Sequence, residues 1–255
     1  MAKKDMRAIE KWWNDASGYY QEELGHYAPN DIIYGPFGST EKKLKLLGSV
    51  KGKRVLELGC GGGQASIYLA KLGAKCTGID ISRRQIEYAR KLAAEEGVEV
   101  DFSESTMTDL RRLYGADYDI VISIFAIQYI EDLDGLFKEV GKVIRPGGVF
   151  LFSTEHPFYL ITDPETMQVG ESYYKTGRFE EKEKWPDGSR HVHIMYRRKV
   201  SDIYNSLFSS GFAVEKTVEP LDMDDRVFGH GYRRKLVRRI GPTMIFKCRP
   251  VGPNY

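Results

Sequence analysis

A chain of 255 residues, 42% of them hydrophobic, is long enough to bury a core of its own, and one elaborated domain is expected rather than two. Its 38 basic and 36 acidic residues are interspersed and leave a net charge of +2, which excludes the composition of a protein committed to polyanions. Cys60, Cys76 and Cys248 are odd in number and lack metal-ligand spacing, which argues against a disulfide framework and for a reducing compartment. The first ten residues show no apolar leader, and no apolar run reaches membrane-spanning length. A soluble, cytoplasmic protein is expected.

Residues 5–25 are aromatic-rich and roughly helical, with Met6, Ile9, Trp12, Trp13, Tyr19, Tyr20 and Leu24. Such a segment either covers a ligand as a lid or only packs. Tyr34-Gly35-Pro36-Phe37-Gly38 reads as a loop, and Lys43–Leu47 as a short helix. An apolar strand (Val55, Leu56, Leu58) then ends in Gly59-Cys60-Gly61-Gly62-Gly63, and Gln64 opens an amphipathic helix. Glycines let the backbone turn sharply and let a ligand approach without meeting a Cβ. Free N–H groups at the helix start favour a polar or anionic ligand group. The dinucleotide spacing G-x-G-x-x-G fails, because the sixth position is Gln64 counted from Gly59 and Ser66 counted from Gly61. The spacing that fits is acidic-x-Gly-x-Gly-x-Gly, from Glu57 through Gly59, Gly61 and Gly63.

Lys75–Asp80 is a second strand ending in an acid, which at that place can accept both ribose hydroxyls of a nucleoside. Ser82 is a plausible N-cap for the helix that follows. Val98–Phe102 reads as a third strand and leads to Thr106-Met107. Tyr118–Ala126 is apolar throughout, as a strand covered on both faces requires. A helix from Leu133 to Ile144 stops at Arg145-Pro146-Gly147-Gly148, and Val149–Ser153 is the fifth strand. Near the C-terminus come a helix, Asp202–Ser210, and two strands, Ala213–Val218 and Thr243–Cys248.

The Glu57 and glycine pattern, Gly78-Ile79-Asp80-Ile81-Ser82, the apolar fourth strand and the helix-Arg-Pro-Gly-Gly-strand run together resemble class I S-adenosylmethionine-dependent methyltransferases. The resemblance is strong over residues 50–155 and weaker over 200–250. It implies an α/β, Rossmann-like, doubly wound sheet of seven mostly parallel strands in the order 3-2-1-4-5-7-6. It also implies a helical lid (1–48), a cofactor-binding core (49–154), an inserted substrate cap (155–199) and a C-terminal completion of the sheet (200–255). The implied cofactor is S-adenosylmethionine, with S-adenosylhomocysteine as product. Its implied contacts are Glu57, Gly59, Cys60, Gly61, Gly63, Gln64, Asp80, Ile81, Thr106, Met107, Ser123, Ile124, Tyr20 and Tyr34. Relatives commonly carry Asp and a small residue at the adenine end. Here a Thr106 hydroxyl can accept from the amine and Met107 can pack on the ring. Cys60 reads as a small residue suited to a tight turn rather than as a nucleophile. Gln128 stands where relatives often carry His.

Residues 155–199 exceed the connection that an alternating fold needs, and they are crowded with aromatics. Trp185-Pro186-Asp187-Gly188 is a turn signal, so a β-hairpin cap is expected, with Tyr173, Tyr174 and Trp185, together with Gln128, as substrate contacts. His191 and His193 would share one strand face, but with no third ligand in view no metal is expected. His156 and Glu155, at the end of the fifth strand, are candidates for a general base; the competing role for His156 is a structural cap. Arg233, Arg234, Lys235, Arg238 and Arg239 read as a solvated face rather than a nucleic-acid contact. The expected function is methyl transfer to a small-molecule acceptor. Its alternatives are an RNA or protein methyltransferase, or a nucleoside-binding protein without catalysis. Monomer and homodimer stay equally open.

Overall fold

The computed structural model describes residues 3–24, 29–185, 187–223 and 232–251. Strand β1 (Arg54–Leu58) buries four consecutive residues, which only a strand covered on both faces can do. It pairs in parallel with β2 (Lys75–Asp80) on one side and β4 (Tyr118–Ser123) on the other. Strand β3 (Asp101–Glu104) adds to β2, and β5 (Ile144–Glu155) adds to β4, also in parallel. Helices α3 (Gln64–Lys71), α4 (Arg83–Glu95), α5 (Leu110–Tyr114) and α6 (Leu133–Val143) supply the crossovers. After α8 (Val200–Ser209), β8 (Phe212–Val218) and β9 (Thr243–Pro250) complete the sheet, with β9 antiparallel to both β5 and β8. The order β3-β2-β1-β4-β5-β9-β8 is the expected one, because β6 (Gly177–Lys184) and β7 (Arg190–Arg197) form a separate hairpin inserted in the sequence. The order reverses between β1 and β4, and ligands of open α/β sheets bind at that crevice, beyond the strand C-termini.

Both faces of the sheet carry an apolar layer. Phe137 of α6 packs on Phe150 and Phe152 of β5, while Val55, Ile120 and Ile122 lie with Tyr68 and Leu69 of α3 on the other face. No helix among the described residues is long and apolar enough to cross a membrane.

Local boundaries depart from the sequence reading where side chains capture the backbone. The helix expected at Lys43–Leu47 is instead α2 (Glu41–Leu44), closed by a left-handed Lys45 at φ 52°. The buried Glu41 carboxylate accepts the N–H groups of Leu46 and Leu47, which ends the helix early. The third strand begins at Asp101 rather than Val98. Arg145-Pro146-Gly147-Gly148 does not separate helix from strand; it is an irregularity inside β5, where the register with β4 jumps between Ile144 and Val149. At the hairpin tip, Trp185 N–H donates to the Ser189 carbonyl and Gly188 adopts φ 85°. Pro186 of that turn lies outside the described residues.

Two glycines of the β1–α3 turn differ in what they require. Gly63 has φ 78°, and a Cβ there would lie 2.5 Å from Cζ of Phe102; Gly61 has φ 51°, but a Cβ there would meet only Oε1 of Gln85, at an ordinary contact distance of 3.9 Å. A left-handed non-glycine costs about 1–2 kcal/mol, and overpacking adds about 1–3 kcal/mol. Denaturant unfolding of the two variants is expected to show Gly63→Ala losing about 3 kcal/mol and Gly61→Ala about 1 kcal/mol.

Candidate active site

Two buried carboxylates shape the β1–α3 turn. The Glu57 carboxylate accepts the backbone N–H of Ser66 at 2.9 Å and its hydroxyl, so it is anchored to the first turn of α3. Asp80, at the end of β2, accepts the Gly61 N–H on one oxygen and the Ser82 N–H on the other, each at 2.8 Å. Ser82 in turn caps α4 by accepting the Gln85 N–H. Among the described residues no cation offsets their burial, which pushes the Glu57 carboxyl up to about 7 and that of Asp80 up to about 6. The backbone approaches closely as well. A Cβ at Gly59 would lie 2.5 Å from Cβ of Ala126, so only glycine lets the turn pass the end of β4.

Beyond these strand ends lies a cavity of about 500 Å³, within the range of small-molecule sites. Of the residues expected at the cofactor, Glu57, Gly59, Cys60, Gly61, Gln64, Asp80, Ile81, Thr106, Met107, Ile124 and Tyr20 line it. Its far wall comes from helix α1 (Lys3–Leu24), through Met6, Ile9, Trp13 and Tyr20. Trp13 meets Tyr20 and Tyr129 edge-to-face, with ring centroids 5.1 and 5.5 Å apart. Phe125 adds a further ring from a left-handed backbone at φ 53°, an uncommon conformation for a bulky residue. Six carboxylates border the cavity (Asp31, Glu57, Asp80, Asp109, Asp132 and Glu139), and none of its described lining residues is Lys or Arg.

Helix α1 is held over the glycine turn by polar contacts. Gln21 donates to the Gln85 amide oxygen at 2.6 Å and accepts from Gln64 at 2.7 Å. Gly62 lies so close under Gln21 that a Cβ there would collide with it. Asn14 accepts from the Ser82 hydroxyl and the Arg84 N–H.

The other expected site residues lie away from this cavity. Gly63 is set by packing against Phe102. Ser123 is fully buried and donates to the Leu58 carbonyl across the strand pair. Tyr34 is fully buried, with its hydroxyl on Glu41. Gln128 is turned inward by the 3₁₀ turn Ile127–Tyr129 and donates to the Phe125 carbonyl; with Glu155 it lines a separate cavity of only about 20 Å³. Burial pushes the Glu155 carboxyl up to about 7, partly opposed by Arg197. His156 caps α7 (Pro157–Ile161): its Nδ1 accepts the Phe158 N–H, and its Nε2 lies 3.1 Å from Glu219. Tyr173 stacks on Phe158 and accepts the Val200 N–H, while Tyr174 is 81% exposed. Trp185 stacks on His191 and edges Trp12, so the hairpin packs on α1 and does not itself line the cavity. Sequence reasoning missed Phe125 and Tyr129 as cavity walls. Tyr129 is one residue from the chosen Gln128, and which of the two faces the cavity depends on the 3₁₀ turn, which carries no sequence signature.

Residues 49–202 match the family described as the methyltransferase domain. The chain belongs to this family. Its sheet order is that of the class I S-adenosylmethionine-dependent members. An S-adenosylmethionine-dependent methyltransferase from Mesorhizobium loti is similar in structure, at 26% identity and a TM-score of 0.63, covering 81% of this chain and 94% of that one. The ubiquinone biosynthesis O-methyltransferase of Nitrosococcus oceani is 34% identical over 106 residues, 42% of this chain and 45% of that protein. That of Bordetella pertussis is 36% identical over 144 residues, 56% of each chain. The chain thus spans about half the length of the curated relatives it matches.

The raised carboxyls give the family's acidic motif a pH signature. Between its ordinary value of 4.5 and about 7, Glu57 binds more proton in the folded than in the unfolded chain. Stability contributed through Glu57 therefore falls as pH rises across that window. Glu57→Gln removes this dependence. The melting-temperature difference between Glu57→Gln and the parent protein is expected to move in the variant's favour from pH 5 to pH 8.

Proposed function

We propose that this protein is an S-adenosylmethionine-dependent methyltransferase acting on a small organic acceptor, with cofactor and acceptor side by side in the 500 Å³ cavity. The carrying observation is that the Asp80 and Glu57 carboxylates open onto the same space as the Trp13–Tyr20–Tyr129 wall. The residues present fit the cofactor. The side-chain-free approach at Gly59 and Gly61 leaves a cradle, Asp80 would offer oxygens to ribose hydroxyls, and Thr106 with Met107, on the same cavity lining, would hold the adenine. When bound, S-adenosylmethionine supplies a methyl group already activated by its sulfonium charge. The chain's own task is then to align an acceptor and exclude water, which the aromatic wall and α1 do.

A small-molecule acceptor is favoured over nucleic acid by the carboxylate border. Two of the C-terminal basic residues are engaged within the chain: Arg233 pairs with Glu165, and Arg234 lies over Phe37. Three free, buried cysteines suit a reducing, cytoplasmic setting.

Calorimetry with S-adenosylhomocysteine tests the cofactor reading. Charge-assisted hydrogen bonds are worth roughly 1.5–3 kcal/mol each, so Asp80→Ala is expected to weaken binding at least about tenfold. Equal affinity in variant and parent would reduce Asp80 to a loop anchor, and tighter binding of NAD would overturn the assignment.

The polar latch suggests that α1 acts as a lid. In Gln21→Ala, stopped-flow release of S-adenosylhomocysteine is expected to accelerate roughly fivefold, the effect of losing about 1 kcal/mol of hydrogen bonding. An unchanged release rate would make α1 a fixed wall.

A further inference from the structure

Tyr129 is a cavity wall whose hydroxyl has a partner outside the cavity. Its Oη lies 3.0 Å from Nε2 of His193 on β7. The other ring nitrogen, Nδ1, lies 3.3 Å from Oε1 of Glu183 on β6. The second oxygen of Glu183 accepts the indole N–H groups of Trp12, at 3.1 Å, and of Trp185, at 2.9 Å. Trp12 also stacks on the His193 ring, with centroids 4.2 Å apart and planes 12° from parallel. The carboxylate, the imidazole and the phenol are therefore each fixed in orientation, and they form one hydrogen-bonded line from the hairpin to the cavity.

This arrangement has the parts of a base system. The carboxylate selects the tautomer with Nδ1–H, which leaves Nε2 as an acceptor facing the phenol. Burial lowers the His193 pKa, which favours the neutral ring, and Glu183 opposes that shift, which favours the protonated one. Other titratable groups facing the pair are Glu181 on the hairpin, Glu155 at the end of β5, Tyr20 of α1 and Tyr232. A hairpin merely fastened to α1 would not need its half-buried histidine aimed at Tyr129, which reaches the cavity from the β4 side.

We propose that Tyr129, His193 and Glu183 form a proton relay that deprotonates the methyl acceptor, and that the acceptor is a neutral aromatic hydroxyl compound. The proposal rests on the methyl-transfer reading above. As the acceptor oxygen forms its bond to the methyl carbon, its proton passes to Tyr129 Oη and the phenol's own proton passes to His193 Nε2. The electron pair of the broken carbon–sulfur bond stays on sulfur, which becomes a neutral thioether. The imidazolium is held against the Glu183 carboxylate and then loses its proton to solvent from a side chain that keeps 14% of its surface exposed. Tyr129 is the catalytic residue of this relay, and His193 and Glu183 are positioning residues. The acceptor class follows from the walls: Trp13, Tyr20 and Phe125 suit a ring, while a border of carboxylates without Lys or Arg repels an anion.

The test needs no turnover. The protein is saturated with sinefungin, a non-transferring cofactor analogue whose ammonium carries the positive charge, and titrated with 4-nitrophenol, whose ionisation is read by absorbance. In the parent protein the bound phenol is expected to ionise about one pH unit below its value in solution. Tyr129→Phe and His193→Gln are expected to abolish that shift, with sinefungin affinity within twofold of the parent. The glutamine can still accept from Tyr129, so it keeps the hairpin docked but cannot take the proton. His191→Gln, on the same strand, is expected to keep the shift. 4-Nitrobenzoate is expected to bind at least about tenfold more weakly than 4-nitrophenol. Solution-like ionisation in the parent, no binding of 4-nitrophenol, or an unaltered shift in both relay variants would overturn the relay while leaving cofactor binding intact. Equal binding of 4-nitrobenzoate would overturn the neutral acceptor. Failure of sinefungin to bind at all would overturn the methyl-transfer reading and the relay with it.

Discussion

Burial of Glu57 and Asp80 with no offsetting cation among the described residues is the constraint around which the rest of this molecule is arranged. An isolated buried carboxylate is costly, and here hydrogen bonds from the backbone stand in for a counter-charge. Those bonds fix the glycine turn, the start of α3 and the start of α4 relative to one another. The remaining discomfort shows as carboxyls pushed up to about 7 and about 6. A ligand bringing hydroxyls and positive charge to this place would relieve it.

Around that centre the chain divides its labour by element type. The parallel strands hold the carboxylates to within the precision of a packed sheet, since β1 and β2 are paired over five residues. The aromatic wall comes from α1, which side-chain contacts hold in place, and from the short turn after β4, which is tied to β5 at the Phe125 N–H. Rigid placement suits the cofactor half of such a site, and adjustable placement suits admission of a second substrate.

The inserted hairpin has a different role from the one its aromatic composition suggests. It does not roof the cavity. Its residues pack against α1, with Trp185, His191 and His193 meeting Trp12 or its neighbours, and it backs the cavity wall through the Tyr129 hydroxyl and through Ile194 and Tyr196, which cluster with Ile9. Aromatic content marks a buried surface but does not say what that surface is buried against. Here the partner is another helix of the same chain.

The sheet order was legible in the sequence through the family resemblance, and the placement of Glu57, the glycines and Asp80 at the strand ends through the local pattern. Glu57, the glycines and Asp80 sit at fixed distances from strands that declare themselves by their apolar runs, and a strand end followed by a tight turn leaves little freedom in where those side chains go. Only the tertiary structure decided the acceptor half. Whether Gln128 or Tyr129 faces the cavity is set by a single 3₁₀ turn. That His156 caps a short helix follows from the Phe158 N–H reaching its ring, and that Tyr34 is core rather than site follows from the reach of Glu41. The partnership of Tyr129 with His193 spans 64 positions of sequence. Such contacts arise when separately folded elements meet at angles that no local pattern encodes, so periodicity and spacing could show that these residues were available but not what they would touch.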